Sequence, residues 1–278
     1  MSLFRSGTAE ANGQTLYFEV HGAGPPLVLV MGIGYDATLW TLAQVPVLSG
    51  MFKVVIFDNR DVGRSAKAAA PYSIADMADD VAALMDALDI ERAHLLGLSM
   101  GGMIAQEFAL RHADRLHRLV LSGCGAAPAR AAFDPIRAWN WVKANDPSGE
   151  AFACQQFIWL FSTAFLRNKD AVQQTLSMLT SNPNPVGPDA YNRQAQAYLR
   201  HDALDRLADI RSPTLVIAGE QDLLTPPWVC REVAVRIPGS QFEIITGEGS
   251  SHVVPIERPH EFNDLVTTFL TASEPVLA

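Results

Sequence analysis

Three residue types that can together carry out acyl transfer, a serine, an acid and a histidine, occur in separate loops of this sequence. The candidates are Ser99, Asp222 and His252. A serine hydroxyl is a poor nucleophile at neutral pH, so it needs a neutral imidazole within hydrogen-bond reach to accept its proton. The imidazole in turn needs a carboxylate behind it that fixes its tautomer and orientation. The sequence therefore predicts a catalytic triad of these three side chains, provided that the fold brings them together.

Ser99 lies in the segment Gly97-Leu98-Ser99-Met100-Gly101, between an apolar run at residues 93–96 and a helix-like stretch at residues 102–110. A Gly-x-Ser-x-Gly pattern in this setting is typical of a sharp strand-to-helix turn, here called the elbow, that exposes a serine above a sheet. Glycines flank such a turn so that the two backbones can pass without a Cβ clash. The bare pattern arises by chance in roughly one chain in ten of this length. The prediction therefore depends on the flanking elements.

The proposed acid and base follow two later strands. His252 comes directly after the glycine- and serine-rich segment 247–251, and Asp222 follows the predicted strand at residues 214–218. Both positions are at the carboxyl ends of strands, which is where open α/β sheets bind their ligands. Alternatively, His252 is an ordinary loop histidine and Asp222 a turn residue. Glu220 is the alternative acid.

An acyl-transfer site also needs backbone N–H donors for the oxyanion of its tetrahedral intermediate, each contributing on the order of 3 kcal/mol. Met100 N–H is one candidate, since it lies at the positive N-terminal end of the predicted helix. Ile33 N–H is the second, because Gly32 and Gly34 allow the loop after the strand at residues 27–31 to fold over the serine. The alternative is that these glycines only form a tight turn.

The composition excludes several classes of protein. The 278 residues are 49% hydrophobic, which suits one sizeable α/β domain with an insertion. A formal net charge of -9 disfavours nucleic acid as a partner. Three widely spaced cysteines, Cys124, Cys154 and Cys230, argue against a disulfide framework or a zinc site and favour a cytoplasmic location. No stretch reaches the ~18 apolar residues of a membrane span, and the N-terminus lacks the apolar segment of a signal peptide, so we expect no membrane association.

Short runs rich in Val, Ile and Leu alternate with helical patterns along the chain. The predicted strands are residues 27–31, 53–57, 93–98, 116–122, 214–218 and 241–245. They follow an N-terminal hairpin that turns at Asn12-Gly13. One helix is predicted at residues 74–88, where apolar residues recur every three or four positions. This alternation predicts an α/β fold, a three-layer α/β/α sandwich with a mostly parallel sheet.

The alternation is interrupted between about residues 124 and 207. This stretch has no convincing strand, contains three of the five tryptophans, and includes the breakers Asp146-Pro147 and Asn182-Pro183-Asn184-Pro185. We therefore expect a helical cap at residues 124–207, inserted into a core formed by residues 1–123 and 208–278. Most of its aromatic side chains are expected to form the cap's own small core, and some to line a pocket.

Taken together, these motifs resemble the α/β-hydrolase superfamily over nearly the whole chain. Met31-Gly32-Ile33-Gly34 occupies the position of that family's His-Gly oxyanion loop, and residues 58–65, Asp-Asn-Arg-Asp-Val-Gly-Arg-Ser, resemble its Asp-x-Arg-Gly-x-Gly-x-Ser loop. The serine, acid and histidine also occur in its chain order. Within the superfamily, the sequence is similar to esterase-like members related to aclacinomycin methylesterases and 3-oxoadipate enol-lactonases. Met31 replaces the family's histidine, which keeps the backbone donor but removes a polar anchor of the loop.

The residues and the resemblance together imply a serine hydrolase that cleaves a small or medium carboxylic ester or lactone through an acyl-serine intermediate. A C–C bond hydrolase, or a cofactor-free haloperoxidase or perhydrolase, would use the same triad. A non-catalytic small-molecule binding protein could share the fold. The serine at the elbow disfavours dehalogenase and epoxide hydrolase chemistry, for which this family uses aspartate. No metal- or nucleotide-binding motif occurs, so we expect no metal and no other cofactor. The oligomeric state is not specified by the sequence.

Overall fold

The computed structural model describes residues 4–146 and 148–273, and its central element is an eight-stranded sheet. The strands are β1 (Phe4–Ala11), β2 (Gln14–His21), β3 (Pro26–Val30), β4 (Lys53–Phe57), β5 (Ala93–Leu98), β6 (Leu116–Ser122), β7 (Thr214–Gly219) and β8 (Gln241–Ile245). Each of the six apolar runs predicted to be a strand is one, with ends within one residue of the predicted positions.

The strand order across the sheet is β1-β2-β4-β3-β5-β6-β7-β8. Strands β3 to β8 are parallel to one another, whereas β2 pairs antiparallel with β4 and β1 pairs antiparallel with β2. The hairpin between β1 and β2 turns at Asn12 and Gly13, which have φ angles of 49° and 71°. The mostly parallel sheet and its N-terminal hairpin are therefore confirmed.

Eleven α-helices are formed by the described residues. They are α1 (Gln44–Leu48), α2 (Ile74–Ala87), α3 (Met100–Arg111), α4 (Pro135–Asn145), α5 (Glu150–Leu160), α6 (Thr163–Arg167), α7 (Lys169–Thr180), α8 (Pro188–Leu199), α9 (Pro227–Arg236), α10 (Val254–Glu257) and α11 (Pro259–Thr271). Helix α2 ends one residue before its predicted end. It begins at a capping box in which the Ser73 hydroxyl accepts a bond from Asp76 N–H and the Asp76 carboxylate accepts one from Ser73 N–H.

The sheet separates two apolar layers because successive side chains of a strand point to opposite faces. In β3, Val28 and Val30 pack into the layer that contains the buried faces of α2, α3 and α9, whereas Leu27 and Leu29 pack into the layer that contains α1 and α11. All four side chains are at most 1% exposed. Burial on both faces explains why these strands are continuous apolar runs rather than alternating ones. The predicted three-layer sandwich is confirmed.

Five helices, α4 to α8, lie between β6 and β7 and are called the helical insert below. Two ion pairs hold the insert and the residues that follow it against the sheet and the helices packed on it, which are together called the sheet domain below. The Arg193 guanidinium donates to both carboxylate oxygens of Asp61, at 2.6 and 2.9 Å. Arg206, which follows the insert, pairs with Glu107 of α3. The Asp61 carboxylate is fully buried. Breaking such a buried pair by removing one partner is strongly destabilising. No helix among residues 4–146 and 148–273 is long and apolar enough to cross a bilayer.

Candidate active site

Ser99 occupies the turn between β5 and α3 with φ 57° and ψ −123°. Its N–H donates to the carbonyl of Ser122 on the neighbouring strand β6, and its carbonyl accepts a bond from Gly102 N–H, both at 2.9 Å. Such a backbone conformation costs an L residue on the order of 1–3 kcal/mol. The surrounding strand and helix hold the residue in this strained turn, which directs its side chain to the carboxyl end of the sheet.

The two glycines of the elbow are required by close backbone contacts. A Cβ placed on Gly97 would lie 2.2 Å from the carbonyl oxygen of Gly101, and one on Gly101 would lie 2.1 Å from the carbonyl oxygen of Val30. Both distances are far inside van der Waals contact. The strand and the helix cross as closely as the sequence pattern predicts.

The His252 imidazole is hydrogen-bonded to the Asp222 carboxylate, with 2.9 Å between Nδ1 and Oδ2. Both residues are 3% exposed. The other carboxylate oxygen, Oδ1, accepts bonds from the N–H groups of Leu224 and Thr225, each at 2.8 Å. Asp222 therefore caps a turn of its own backbone and also holds the imidazole. The two interpretations of Asp222, as a turn residue and as the acid, describe the same side chain.

Thr225 is a site residue that the sequence analysis missed. Its hydroxyl donates to Asp222 Oδ2 at 2.8 Å and lies 3.1 Å from His252 Nδ1. An aspartate followed three residues later by threonine is a common turn pattern, and that spacing could have indicated the contact. With this hydroxyl, the carboxylate accepts four hydrogen bonds.

These contacts determine the charge of the pair. Burial alone would raise the pKa of Asp222, but the attraction and hydrogen bond of His252, together with the bonds from Thr225, outweigh it and hold the pKa below the usual aspartate value. An ionised carboxylate only accepts hydrogen bonds, so His252 must carry a proton on Nδ1. The Nε2 atom of a neutral His252 is then a proton acceptor.

Two contacts connect the loop that carries His252 to the rest of the site. The Glu257 carboxylate accepts bonds from the Ser251 hydroxyl and from the N–H and hydroxyl of Ser162 in the insert, the last two at 2.9 and 2.6 Å. Val253 N–H donates to the carbonyl of Leu160 at 3.2 Å. The orientation of the histidine loop is thus coupled to the position of the helical insert.

The loop after β3 packs directly against the serine. A Cβ on Gly32 would lie 3.2 Å from Ser99 Cβ and 3.7 Å from its Oγ. The N–H groups of Ile33 and Met100 donate to no carbonyl oxygen or side chain of the described chain. Free amides beside a serine hydroxyl are the arrangement that an oxyanion site requires.

Polar side chains hold this loop in place, although Met31 replaces the family's histidine. Asn59 Nδ2 donates to the carbonyl of Met31 at 3.0 Å, and Gly34 N–H donates to Gln194 Oε1 at 2.9 Å. Gln194 is fully buried on α8, and its Nε2 donates to the carbonyl of Arg60 at 3.0 Å. Both anchors were missed by the sequence analysis, which expected the loop to lack one.

The charged residues at positions 58–61 form a network of ion pairs that holds neighbouring segments together. The Asp58 carboxylate binds the Arg64 guanidinium, with 2.7 Å between Oδ2 and Nε. Arg60 pairs with Asp80 of α2, and Asp61 binds the insert through Arg193. None of these side chains lines the cavity described next.

A cavity of about 280 Å³ lies between the sheet domain and the helical insert. Its lining residues are Met31, Gly32, Ile33, Tyr35, Leu39, Leu42, Leu98, Ser99, Trp139, Leu160, Phe161, Phe165, Gln174, Thr175, Met178, Leu179, Leu224, His252, Val253 and Ile256. Leu42 and Met178 are 54% and 41% exposed, so the cavity reaches the protein surface at these side chains, which are called its mouth below. Ser99 and His252 therefore share one solvent-connected, mainly apolar chamber.

The structure thus brings most of the predicted site residues together. Ser99, Ile33 and His252 line the cavity, Asp222 lies behind the imidazole, and the Met100 amide follows the serine. The side-chain hydrogen bonds of the His252 imidazole are made with Asp222 and Thr225. They do not include a bond to the Ser99 hydroxyl.

Two further side chains, Glu220 and Cys124, are not part of the bonded pair of His252 and Asp222. The alternative acid Glu220 accepts a bond from Gly247 N–H at 2.7 Å and is not bonded to His252. Cys124 is fully buried beneath α3, where burial raises the pKa of its thiol to about 12, and it acts as a small apolar side chain. Among the described residues, no cluster of His, Cys, Asp or Glu could hold a metal ion.

The mostly parallel eight-stranded sheet and the strand-to-helix turn at Ser99 are together typical of the α/β-hydrolase fold. The sequence profile of the alpha/beta hydrolase fold matches residues 25–259, and the chain belongs to that family. The resemblance inferred from the motifs is therefore confirmed, and so is the conclusion that the chain is a hydrolase-family enzyme.

Several relatives are similar over nearly their whole length. A protein of Caulobacter sp. (strain K31) named as a carbamate hydrolase, RutD, is 34% identical over 276 residues, which cover 96% of this chain and 98% of the relative. The 3-oxoadipate enol-lactonase 1 of Acinetobacter baylyi is 28% identical over 263 residues, covering 93% and 94%. The crystal structure of the enol-lactonase from Burkholderia xenovorans LB400 superposes with a TM-score of 0.85 at 31% identity, covering 96% of this chain and 100% of that one.

Proposed function

We propose that this chain is a serine hydrolase that cleaves carboxylic esters or lactones, with Ser99 as nucleophile, His252 as general base and Asp222 as the acid that orients the imidazole. The observation that carries the proposal is the buried bond of 2.9 Å between His252 Nδ1 and Asp222 Oδ2, beside a cavity that Ser99 and His252 both line. A bonded imidazole and carboxylate next to a strained, cavity-facing serine is the geometry of acyl transfer.

The first half of the reaction acylates the serine. Ser99 Oγ attacks the carbonyl carbon while His252 Nε2 takes the hydroxyl proton. The carbonyl oxygen becomes an oxyanion and accepts hydrogen bonds from the N–H groups of Ile33 and Met100. The tetrahedral intermediate then expels the leaving alcohol, or the ring oxygen of a lactone, which takes the proton from His252.

The second half of the reaction repeats these steps with water as the nucleophile. His252 accepts a proton from water, and the resulting hydroxide attacks the acyl-Ser99 carbonyl. The intermediate collapses to the carboxylic acid, and Ser99 Oγ regains its proton from the imidazole. In both halves His252 is transiently a cation, which the ionised carboxylate of Asp222 stabilises.

Gln194 is proposed to position the Ile33 amide, since its side chain joins Gly34 N–H to the carbonyl of Arg60 from a fully buried site. We expect Gln194→Met, which keeps the volume but removes both bonds, to lower kcat about 10- to 100-fold with KM changed less than about threefold. Steady-state kinetics would measure this split, with kcat calculated per folded enzyme, because a mere loss of folded enzyme would lower the rate per total protein but not the rate per folded molecule.

The matched control is Gln196→Met, on the same helix, at a half-buried position outside the loop network. It is expected to leave kcat and KM within about twofold of the wild-type values. An unchanged kcat in Gln194→Met, or an equal loss in both variants, would show that Gln194 does not position the loop.

The helical insert is proposed to be a cap, residues 124–207, on a core of residues 1–123 and 208–278. It contributes eight of the cavity-lining residues: Trp139, Leu160, Phe161, Phe165, Gln174, Thr175, Met178 and Leu179. A wall built from the insert reduces the contact of the reacting groups with bulk water, which strengthens their electrostatic interactions. The partner that we propose for this site is therefore a small-molecule ester or lactone.

An activity panel tests the proposed reaction. It would compare 4-nitrophenyl esters, lactones, carbamates and C–C ring-cleavage products, with Ser99→Ala as the blank for each. The name of the RutD relative is the reason for including carbamates. We expect the highest kcat/KM on an ester or a lactone. Serine-dependent turnover of carbamates or C–C bonds alone would show that the enzyme catalyses that reaction and not ester hydrolysis. No turnover of any substrate would favour a binding protein.

A further inference from the structure

Among the described residues, those that line the active-site cavity carry no charged side chain that could neutralise a charged substrate. None of the lining residues given above is Lys, Arg, Asp or Glu, and the only lining imidazole, His252, is already bonded to Asp222. Carboxylates in buried sites require a cation or several hydrogen-bond donors, since an unpaired buried charge is costly. The formal net charge of -9 adds to the repulsion of anions.

Aromatic rings form a preorganised apolar part of this wall. The rings of Phe161 and Phe165 are stacked, with centroids 4.1 Å apart and an interplanar angle of 16°. Phe157 packs edge-on against both, at centroid distances of 5.3 and 6.4 Å. Stacked and edge-to-face rings are fixed by one another, so this wall offers a rigid apolar surface to a substrate.

The few polar side chains of the wall do not form an anion site. The Tyr35 hydroxyl donates to Gln156 Oε1 at 2.8 Å, so its proton is already used. Gln174 and Thr175 lie on α7, and Gln174 is exposed at the mouth, one helical turn before Met178. Both are neutral, and neither can compensate a buried carboxylate in the way a guanidinium does.

We propose that the acyl group accepted by this cavity is uncharged and apolar, an aliphatic or aryl acyl chain, and that acyl groups ending in a carboxylate are rejected. The proposal rests on the proposed ester hydrolysis and specifies its substrate class. The carbonyl is held at Ser99, and the rest of the acyl group contacts the aliphatic and aromatic wall, where apolar burial supplies the binding energy. A terminal carboxylate would lose its hydration there without gaining a partner.

The first test compares two esters with the same leaving group and acyl length, 4-nitrophenyl hexanoate and the mono-4-nitrophenyl ester of adipic acid. They differ only in a terminal methyl group against a carboxylate. We expect kcat/KM for the hexanoate to be at least about 100-fold higher. Equal values, or a preference for the adipate ester, would overturn the inference while leaving ester hydrolysis intact. Serine-dependent hydrolysis of neither ester would overturn the proposed function, and the inference with it.

The second test introduces the missing cation at the mouth of the cavity. Gln174→Arg is expected to raise the kcat/KM of the adipate ester about tenfold relative to that of the hexanoate, since a guanidinium binds a carboxylate through two bonds. Gln173→Arg is the matched control, because it changes the net charge by the same amount. Gln173 is the adjacent exposed residue of α7 and lies outside the cavity lining. An unchanged ratio in Gln174→Arg, or the same increase in both variants, would contradict the proposed role of the wall.

Discussion

Replacing Ser99 by alanine is expected to lower kcat for ester hydrolysis by roughly 10⁵- to 10⁶-fold, because the variant cannot form the acyl intermediate and keeps only the activity of the binding site and the amide donors. The folding stability should change little, since the Ser99 hydroxyl belongs to none of the hydrogen bonds that join His252, Asp222 and Thr225. Initial rates with a 4-nitrophenyl ester and a thermal unfolding curve measure the two effects separately.

Ser122→Ala is the control for this substitution. Ser122 lies at the end of the adjacent strand β6, is fully buried, and has a hydroxyl without a hydrogen-bond partner. The substitution therefore removes the same group near the site, and it is expected to leave kcat within a few-fold of wild type. If Ser99→Ala kept more than about a tenth of the wild-type rate, Ser99 could not be the nucleophile.

Asp222→Asn is expected to have the second large effect, a loss in kcat on the order of 10⁴-fold. The amide is nearly the same size and its oxygen can still accept the bonds from the N–H groups of Leu224 and Thr225. Its NH₂ group, however, favours the tautomer in which His252 Nδ1 accepts, and Nε2 then carries a proton and cannot take one from the serine. Turnover should therefore fall far more than the free energy of unfolding, as kinetics and urea denaturation would show.

Glu220→Gln is the matched substitution at the alternative acid. Its carboxylate bonds to Gly247 N–H, and an amide oxygen can accept the same bond, so activity should stay within a few-fold of the wild-type value. A large loss in Glu220→Gln with none in Asp222→Asn would exchange the roles of the two residues.

The sheet could be predicted from the sequence because its central strands are buried on both faces. A strand such as β5, residues 93–98, has all six residues buried and is therefore apolar except for His94. The elbow was equally predictable, since Gly97 and Gly101 are fixed by contacts within a few residues of the serine or with the adjacent strand. Local sequence thus carries the information for both.

Two of the residues that the sequence analysis missed, Gln194 and Asn59, make contacts across long sequence separations. Gln194 reaches Gly34 from 160 positions away, and Asn59 reaches Met31 from 28 positions away. A buried glutamine on a helix has no local signature, because its partner is set by how the insert docks on the sheet domain. The bounds of the individual insert helices were not predicted for the same reason, since Pro-containing segments mark breaks but not packing.

Covalent labelling by a fluorophosphonate probe would show whether Ser99 is the nucleophile, because the probe phosphonylates a serine hydroxyl that a neighbouring base activates. We expect one adduct per chain, located on the peptide that contains Ser99 and absent from Ser99→Ala. We also expect that Asp222→Asn slows the reaction strongly, whereas Glu220→Gln does not. Folded wild-type protein that remains unlabelled, or an adduct that persists in Ser99→Ala, would contradict the account.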